Sequence, residues 1–210
     1  MKRTDIQTIF ARFELENPKP TTELSYKTPY QLLVAVVLSA QMTDKGVNRA
    51  TVPLFEKAPT PEAMISLEQT ELEEALKSIN YYRVKAKNVK ALSHMLLERH
   101  AGEVPCDRAA LEALPGVGRK TANVVLNTIF GLPTMAVDTH IFRVANRTGL
   151  APGKDVLEVE TALLKRVPKA YLLNAHHWLI LHGRYVCTAR APHCVQCSIS
   201  DLCQFKEKNL

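Results

Sequence analysis

Hydrophobic residues recur along this chain at three- and four-residue spacing, and no segment alternates convincingly with period two. Ile6, Ile9, Phe10 and Phe13 share one face of a helix that ends before Asn17-Pro18-Lys19-Pro20. Thr28-Pro29 opens a second helix as an N-cap followed by proline at the first helical position. Leu32 through Leu38 is apolar on every side, which predicts a central, buried helix. Ser39-Ala40-Gln41-Met42-Thr43-Asp44 then breaks the pattern. Thr60-Pro61 opens another helix, and Thr70-Glu71-Leu72-Glu73 reads as a capping box in front of the stripe Leu72, Leu76, Ile79. A helix is expected over about Val84 to Leu97, and Asp107 caps a short one containing Leu111 and Leu114. Ala122, Val125, Leu126 and Ile129 form the next stripe. Asp155-Val156-Leu157-Glu158 is a further capping box, and a last long helix, roughly Ala170 to His182, should end at Gly183 as its C′ residue. With no internal repeat and no strand pattern, the chain is expected to be all-α.

Composition adds little to that picture but excludes some classes. The chain has 210 residues, enough for one large or two small domains with a buried core, and its 46% apolar and 23% charged residues are those of a globular protein. The longest apolar run, Leu32 to Leu38, is far short of the ~20 residues that span a bilayer. Met1-Lys2-Arg3 leads into an amphipathic stretch without the apolar core of a signal peptide. A cytoplasmic protein with no membrane partner is therefore expected. The formal charge of +6 favours an acidic partner such as nucleic acid, though charge alone does not decide it.

The most informative stretch is Leu114-Pro115-Gly116-Val117-Gly118-Arg119-Lys120-Thr121-Ala122. Two glycines bracketing a valine allow a sharp turn and close backbone approach to a ligand. The helix beginning at once behind them would offer its N–H groups and positive dipole end to a phosphate. This turn between two short helices is a helix-hairpin-helix pattern, a sequence-independent grip on the DNA backbone. Lys120 lies in the first turn of that helix. A phosphate contact would be its plain role; partly desolvated at a helix N-terminus, its amine would have a lowered pKa and could attack a sugar carbon to form a Schiff base. Asp138, in Asp138-Thr139-His140, is well placed to cap the helix carrying Ile141, Phe142 and Val144. A capping carboxylate beside DNA can also stabilise positive charge on a deoxyribose or handle protons. His140 reads as structural, with a hydrogen bond near the site. Two loops are candidate duplex contacts: Gln41, which alone would be only part of a capped turn, and Ile79-Asn80-Tyr81-Tyr82-Arg83, whose aromatics either cap the core or wedge into a duplex.

Four of the five cysteines crowd into Cys187, Cys194, Cys197 and Cys203 with the spacing C-x6-C-x2-C-x5-C. In a reducing compartment that is a metal-site pattern rather than a disulfide framework. Spacing alone leaves zinc and a [4Fe–4S] cluster equally open, since it is neither two short pairs nor the ferredoxin run. Arg190 is the one certain positive charge in the loop between Cys187 and Cys194. Cys106 stands apart as an ordinary thiol, and His176, His177 and His182 share no helical face with the cysteines, which assigns them to packing or surface.

Taken together, Leu38-Ser39-Ala40-Gln41, the Leu114–Ala122 motif, Val137-Asp138-Thr139-His140, His182-Gly183-Arg184 and the four-cysteine tail resemble the bacterial endonuclease III family of helix-hairpin-helix glycosylases over essentially the whole chain. The resemblance implies a bifunctional DNA glycosylase and AP lyase that removes oxidised pyrimidines and acts as a monomer on double-stranded DNA. It implies Lys120 as the Schiff-base nucleophile with Asp138 as its partner, and Cys187, Cys194, Cys197 and Cys203 as ligands of a [4Fe–4S] cluster. DNA contacts are implied at Gln41, Tyr81, Leu114, Gly116, Val117, Gly118, Arg119, His140, Arg143 and Arg190, with Gln41 and Tyr81 entering the duplex as the damaged base is flipped out. Two lobes with DNA between them are expected: a six-helix lobe over 22–132, and a discontinuous cluster lobe of 1–21 and 133–210. Asn80 and Tyr81 stand where glycine and leucine are familiar; asparagine tolerates the left-handed conformation such a glycine would adopt. Ala191 and His193 replace commonly basic residues, so phosphate contact there should be weaker.

Overall fold

The computed structural model describes all residues, 1–210, as eleven α-helices and two short 3-10 turns, with no strand. Two compact units result: Glu23–Phe130, and a second built from Met1–Thr22 together with Gly131–Leu210. No helix is long and apolar enough to cross a membrane.

In the first unit, α2 (Pro29–Leu38) is buried from Tyr30 through Leu38. Thr28 Oγ1 accepts the Gln31 N–H at 3.2 Å and Pro29 occupies the first turn, as the sequence predicts. Burying an aliphatic side chain stabilises a fold by about 1.5–3 kcal/mol, and α2 places six of them in one core, Leu32, Leu33, Val34, Val36, Val37 and Leu38, with Leu24 from the preceding segment beside them. Packed against α2 are α3 (Asp44–Lys57), α6 (Tyr82–His100) and α8 (Arg119–Phe130). Onto α6 pack α4 (Pro61–Ser66) and α5 (Gln69–Leu76), while α7 (Arg108–Glu112) packs on α8.

Three features of this unit differ from the sequence expectation. It holds seven helices rather than six, the added one being α3, which carries Gly46 and an internal Pro53 that both disfavour helix locally. Its Val47, Ala50, Leu54 and Phe55 are buried, so tertiary packing overrides propensity. Helix α5 is entered from Glu68, which makes no side-chain cap, so Thr70 lies inside the helix and the proposed box does not form. Helix α6 extends to Tyr82 and His100, with basic Arg99 and His100 favouring its C-terminal end.

The second unit is organised around α9 (Thr139–Thr148) and α11 (Leu172–Tyr185), with α10 (Val156–Arg166) packed on α9. The N-terminal helix α1 (Arg3–Glu16) contributes Ile6, Ile9, Phe10 and Phe13 to a core with Ile141, Val144, Leu163, Trp178 and Leu179. Trp178 Nε1 donates to Asn17 O at 2.8 Å, and Arg12 binds Ser198 O and the Asp201 carboxylate, tying the chain start to its far end. Asp155 caps α10 through the Leu157 and Glu158 N–H groups, while the Glu158 carboxylate reaches back to Lys154 N–H, one residue earlier than the box predicts. Gly183 does not end the last helix. Helix α11 continues to Tyr185, and a Cβ at position 183 would lie 2.9 Å from His140 Cβ and 3.0 Å from its carbonyl oxygen. The missing side chain lets α11 and α9 approach closely; it does not turn the chain.

Candidate active site and nucleic-acid interface

Between α7 and α8 the chain turns at Pro115-Gly116-Val117-Gly118. Val117 N–H bonds Leu114 O at 3.1 Å, and Ala122 N–H bonds Gly118 O at 2.9 Å, closing the first turn of α8. Leu114 and Val117 are buried and anchor the turn in the core. The two glycines do different things. Gly116 has φ +79°, and a Cβ there would meet the Asn88 side chain at 3.0 Å. Gly118 has open space where a Cβ would be, so the fold itself leaves this side of the backbone clear for a ligand. Arg119 and Lys120 are exposed in the first turn of α8. Lys120 is therefore not desolvated by the protein around it, contrary to the expectation of partial burial.

Asp138 caps α9, its Oδ1 accepting the Ile141 N–H at 2.8 Å, as its sequence position predicts. Next to it, His140 Nδ1 lies 3.3 Å from Arg143 Nη2. Arg143 is committed inside its own unit: Nε donates to Cys187 O at 2.9 Å, Nη2 to Gly183 O at 2.6 Å, and Nη1 reaches Thr139 O at 3.5 Å. These bonds join α9 to α11 and to the first cysteine. One turn on, Arg147 donates to Thr188 O at 2.7 Å and Ala189 O at 2.8 Å, approaches Cys187 Sγ at 3.8 Å, and stacks over Phe205. The sequence offered a signal for this pair, two arginines four residues apart on one helix face. Arg190, beyond the held segment, is exposed.

Cys187, Cys194, Cys197 and Cys203 line one cavity together with His182, Val186, Ile199 and Phe205. None is in a disulfide, and Cys106 is exposed and separate. Four soft sulfur donors around one cavity suit an iron–sulfur cluster. Burial, with a smaller contribution from the neighbouring thiols, pushes the Cys197 thiol up to about 11 and raises Cys203 as well. A positive centre is what would hold such sulfurs as thiolates. His182 is a packing residue, as expected, and it also reaches the cysteines. Its Nε2 lies 3.7 Å from Cys197 Sγ and its ring packs on Phe13 at 5.1 Å, because the loop after α11 folds back over the helix.

Two exposed loops complete the surface of the first unit. Gln41 (φ 57°) and Tyr81 (φ 58°) are non-glycine residues in the left-handed region, where each costs on the order of 1–3 kcal/mol. The left-handed residue is thus Tyr81 and not Asn80. Tyr81 is 67% exposed. Beneath both loops the buried Lys85 donates through Nζ to Leu38 O (2.9 Å) and Ala40 O (2.6 Å), capping the end of α2, and burial lowers its pKa. The sequence hint was a lysine lying on the apolar stripe of α6 with Val89, Leu92 and Leu96.

A hairpin that frees backbone for phosphate, a lysine directly behind it and a cysteine-lined cavity define a DNA-repair enzyme of the helix-hairpin-helix class. Residues 34–169 match the model described as HhH-GPD superfamily base excision DNA repair protein, and residues 187–203 match the iron-sulfur binding domain of endonuclease III. The chain belongs to the endonuclease III family of that superfamily. It is 57% identical to endonuclease III of Haemophilus influenzae over 208 residues, covering 99% of each chain. To endonuclease III of Escherichia coli it is 59% identical over 200 residues, 95% of each. Among solved structures, a non-covalent endonuclease III–DNA complex matches with a TM-score of 0.91 at 46% identity, over 97% of this chain and 96% of that one. A trapped endonuclease III–DNA covalent intermediate matches with a TM-score of 0.90 at 45% identity, over the same shares. This chain is a base-excision repair DNA glycosylase and AP lyase with a [4Fe–4S] cluster.

Proposed function

We propose that the chain excises oxidised pyrimidines from duplex DNA and cleaves at the resulting abasic site, acting as a monomer on chromosomal DNA in the cytoplasm, with Lys120 as nucleophile and Asp138 as its carboxylate partner. The observation that carries this reading is the placement of Lys120, exposed in the first turn of α8 directly behind the hairpin glycines. Leu114, Gly116, Val117, Gly118 and Arg119 form the phosphate grip. Gln41 and Tyr81 enter the duplex, and His140 and Arg190 contact its backbone. Arg143 contacts the backbone as well, from a side chain that also holds α9 to α11 and Cys187.

The chemistry follows from an amine next to a sugar. After giving up its ammonium proton, Lys120 Nζ attacks C1′ and the damaged base leaves with the glycosidic electron pair and a proton. Opening of the C1′–O4′ bond, with O4′ taking up a proton, gives a protonated imine whose positive charge Asp138 balances. Loss of a C2′ proton then expels the 3′ phosphate by β-elimination. Flipping is required because C1′ of a stacked nucleotide is shielded from a side chain. Cys187, Cys194, Cys197 and Cys203 would hold the cluster, which when bound would cross-link the segment that Arg143 and Arg147 tie to α9. The working test is strand cleavage on oligonucleotides carrying one oxidised pyrimidine or one abasic site. Asp138→Asn, which retains a capping side chain, should slow base release by roughly 100-fold or more, whereas a rate within a few-fold of the parent would remove Asp138 from the mechanism.

A further inference from the structure

Gln41 and Tyr81 lie in different loops, yet the two loops are not independent. Asn80 Nδ2 donates to the Gln41 carbonyl at 2.7 Å, and Asn80 N–H approaches Met42 Sδ at 3.3 Å. Lys85, whose backbone N–H donates to Tyr81 O at 3.1 Å in the first turn of α6, reaches Ala40 O from below through Nζ. Gln41 and Tyr81 are both left-handed, both exposed, and neither is a glycine. Two strained tips would each relax separately unless something fixed them to each other.

We propose that Asn80 is a positioning residue that locks the Gln41 and Tyr81 turns into one rigid, two-pronged unit, so that both side chains meet the duplex in fixed register. The proposal rests on the reading that these two side chains enter DNA. Its physical content is pre-organisation: the ordering of two loop tips is already complete before DNA arrives, and only a side chain at position 80 with a donor can bridge to the Gln41 carbonyl. Lys85 fixes one loop to the helix below it; Asn80 fixes the loops to each other.

The test uses the intact, cluster-loaded protein under single-turnover conditions. Asn80→Ala removes the amide but keeps the N–H that faces Met42, and as an exposed change it should leave the melting temperature unaltered. Base release from a fully paired oxidised pyrimidine should slow about fivefold, the factor one uncharged hydrogen bond is worth. The same lesion opposite an abasic spacer, where the duplex is already open, should recover most of that loss. In the double variant Gln41→Ala/Asn80→Ala the Asn80 effect should vanish, because the bridge has no second prong to hold. Equal slowing on paired and unpaired lesions, or additive losses in the double variant, would overturn the proposal. If Tyr81→Ala slows the paired lesion while Asn80→Ala does not, the coupling alone is wrong. If Tyr81→Ala is also without effect, the insertion reading falls and the proposal with it.

Discussion

Buried polar side chains in this chain mark where single residues hold the fold together. Lys85 is the clearest, since its ammonium group satisfies two carbonyls at the end of α2 that would otherwise face the protein interior. Lys85→Met keeps the stem and removes the donors, so the expected loss is about 1–3 kcal/mol, read as a lower urea midpoint with an unchanged slope. A change in neither would mean water replaces the ammonium. His177 tests burial differently. Desolvation lowers its pKa to about 4, against 6.5 for a free imidazole. The unfolded chain therefore binds a proton near pH 6.5 that the native state refuses until pH 4. Its contribution is present above 6.5 and is lost as pH falls through that window, by about 3 kcal/mol in all. Urea midpoints measured between pH 7 and 4.5 should decline less steeply in His177→Leu than in the parent; parallel curves would contradict the assignment.

Helices were legible where their ends carry chemistry. Thr28, Asp107, Asp138 and Asp155 were readable as caps because a short oxygen side chain ahead of an apolar stripe has one good use. Thr70 had the same appearance and was overtaken by packing that starts α5 at Gln69. Gly183 looked like a helix end because glycine usually is one there. Its actual use depends on His140, more than forty positions earlier, which no local pattern can reveal. The consequence belongs to the pair of helices: Gly183→Ala drives a methyl into the α9 backbone, 3.0 Å from the His140 carbonyl oxygen. An overpacking cost of roughly 1–3 kcal/mol is expected. Because α9 carries Asp138, base release should weaken along with the melting temperature. A variant as stable and active as the parent would show that α9 and α11 slide apart without penalty.

At the scale of the whole chain, the hairpin glycines, Lys120, Asp138 and the cysteine spacing were all visible beforehand, because each depends on residues near in sequence. The contacts of His182 with Cys197, of Arg147 with Thr188 and Ala189, and of Asn80 with Gln41 were not, since they arise only when distant segments fold together. Those are also the contacts through which the cysteine segment and the two loop tips are positioned. The family fixes the reaction class. The central claim, that Lys120 itself bonds to the sugar, is reached most directly by borohydride reduction during reaction with DNA containing an oxidised pyrimidine or an abasic site. A covalent protein–DNA complex should accumulate with the parent protein, map to the peptide containing Lys120, and disappear in Lys120→Ala. No trapped complex with the parent, or an undiminished one with Lys120→Ala, would contradict it.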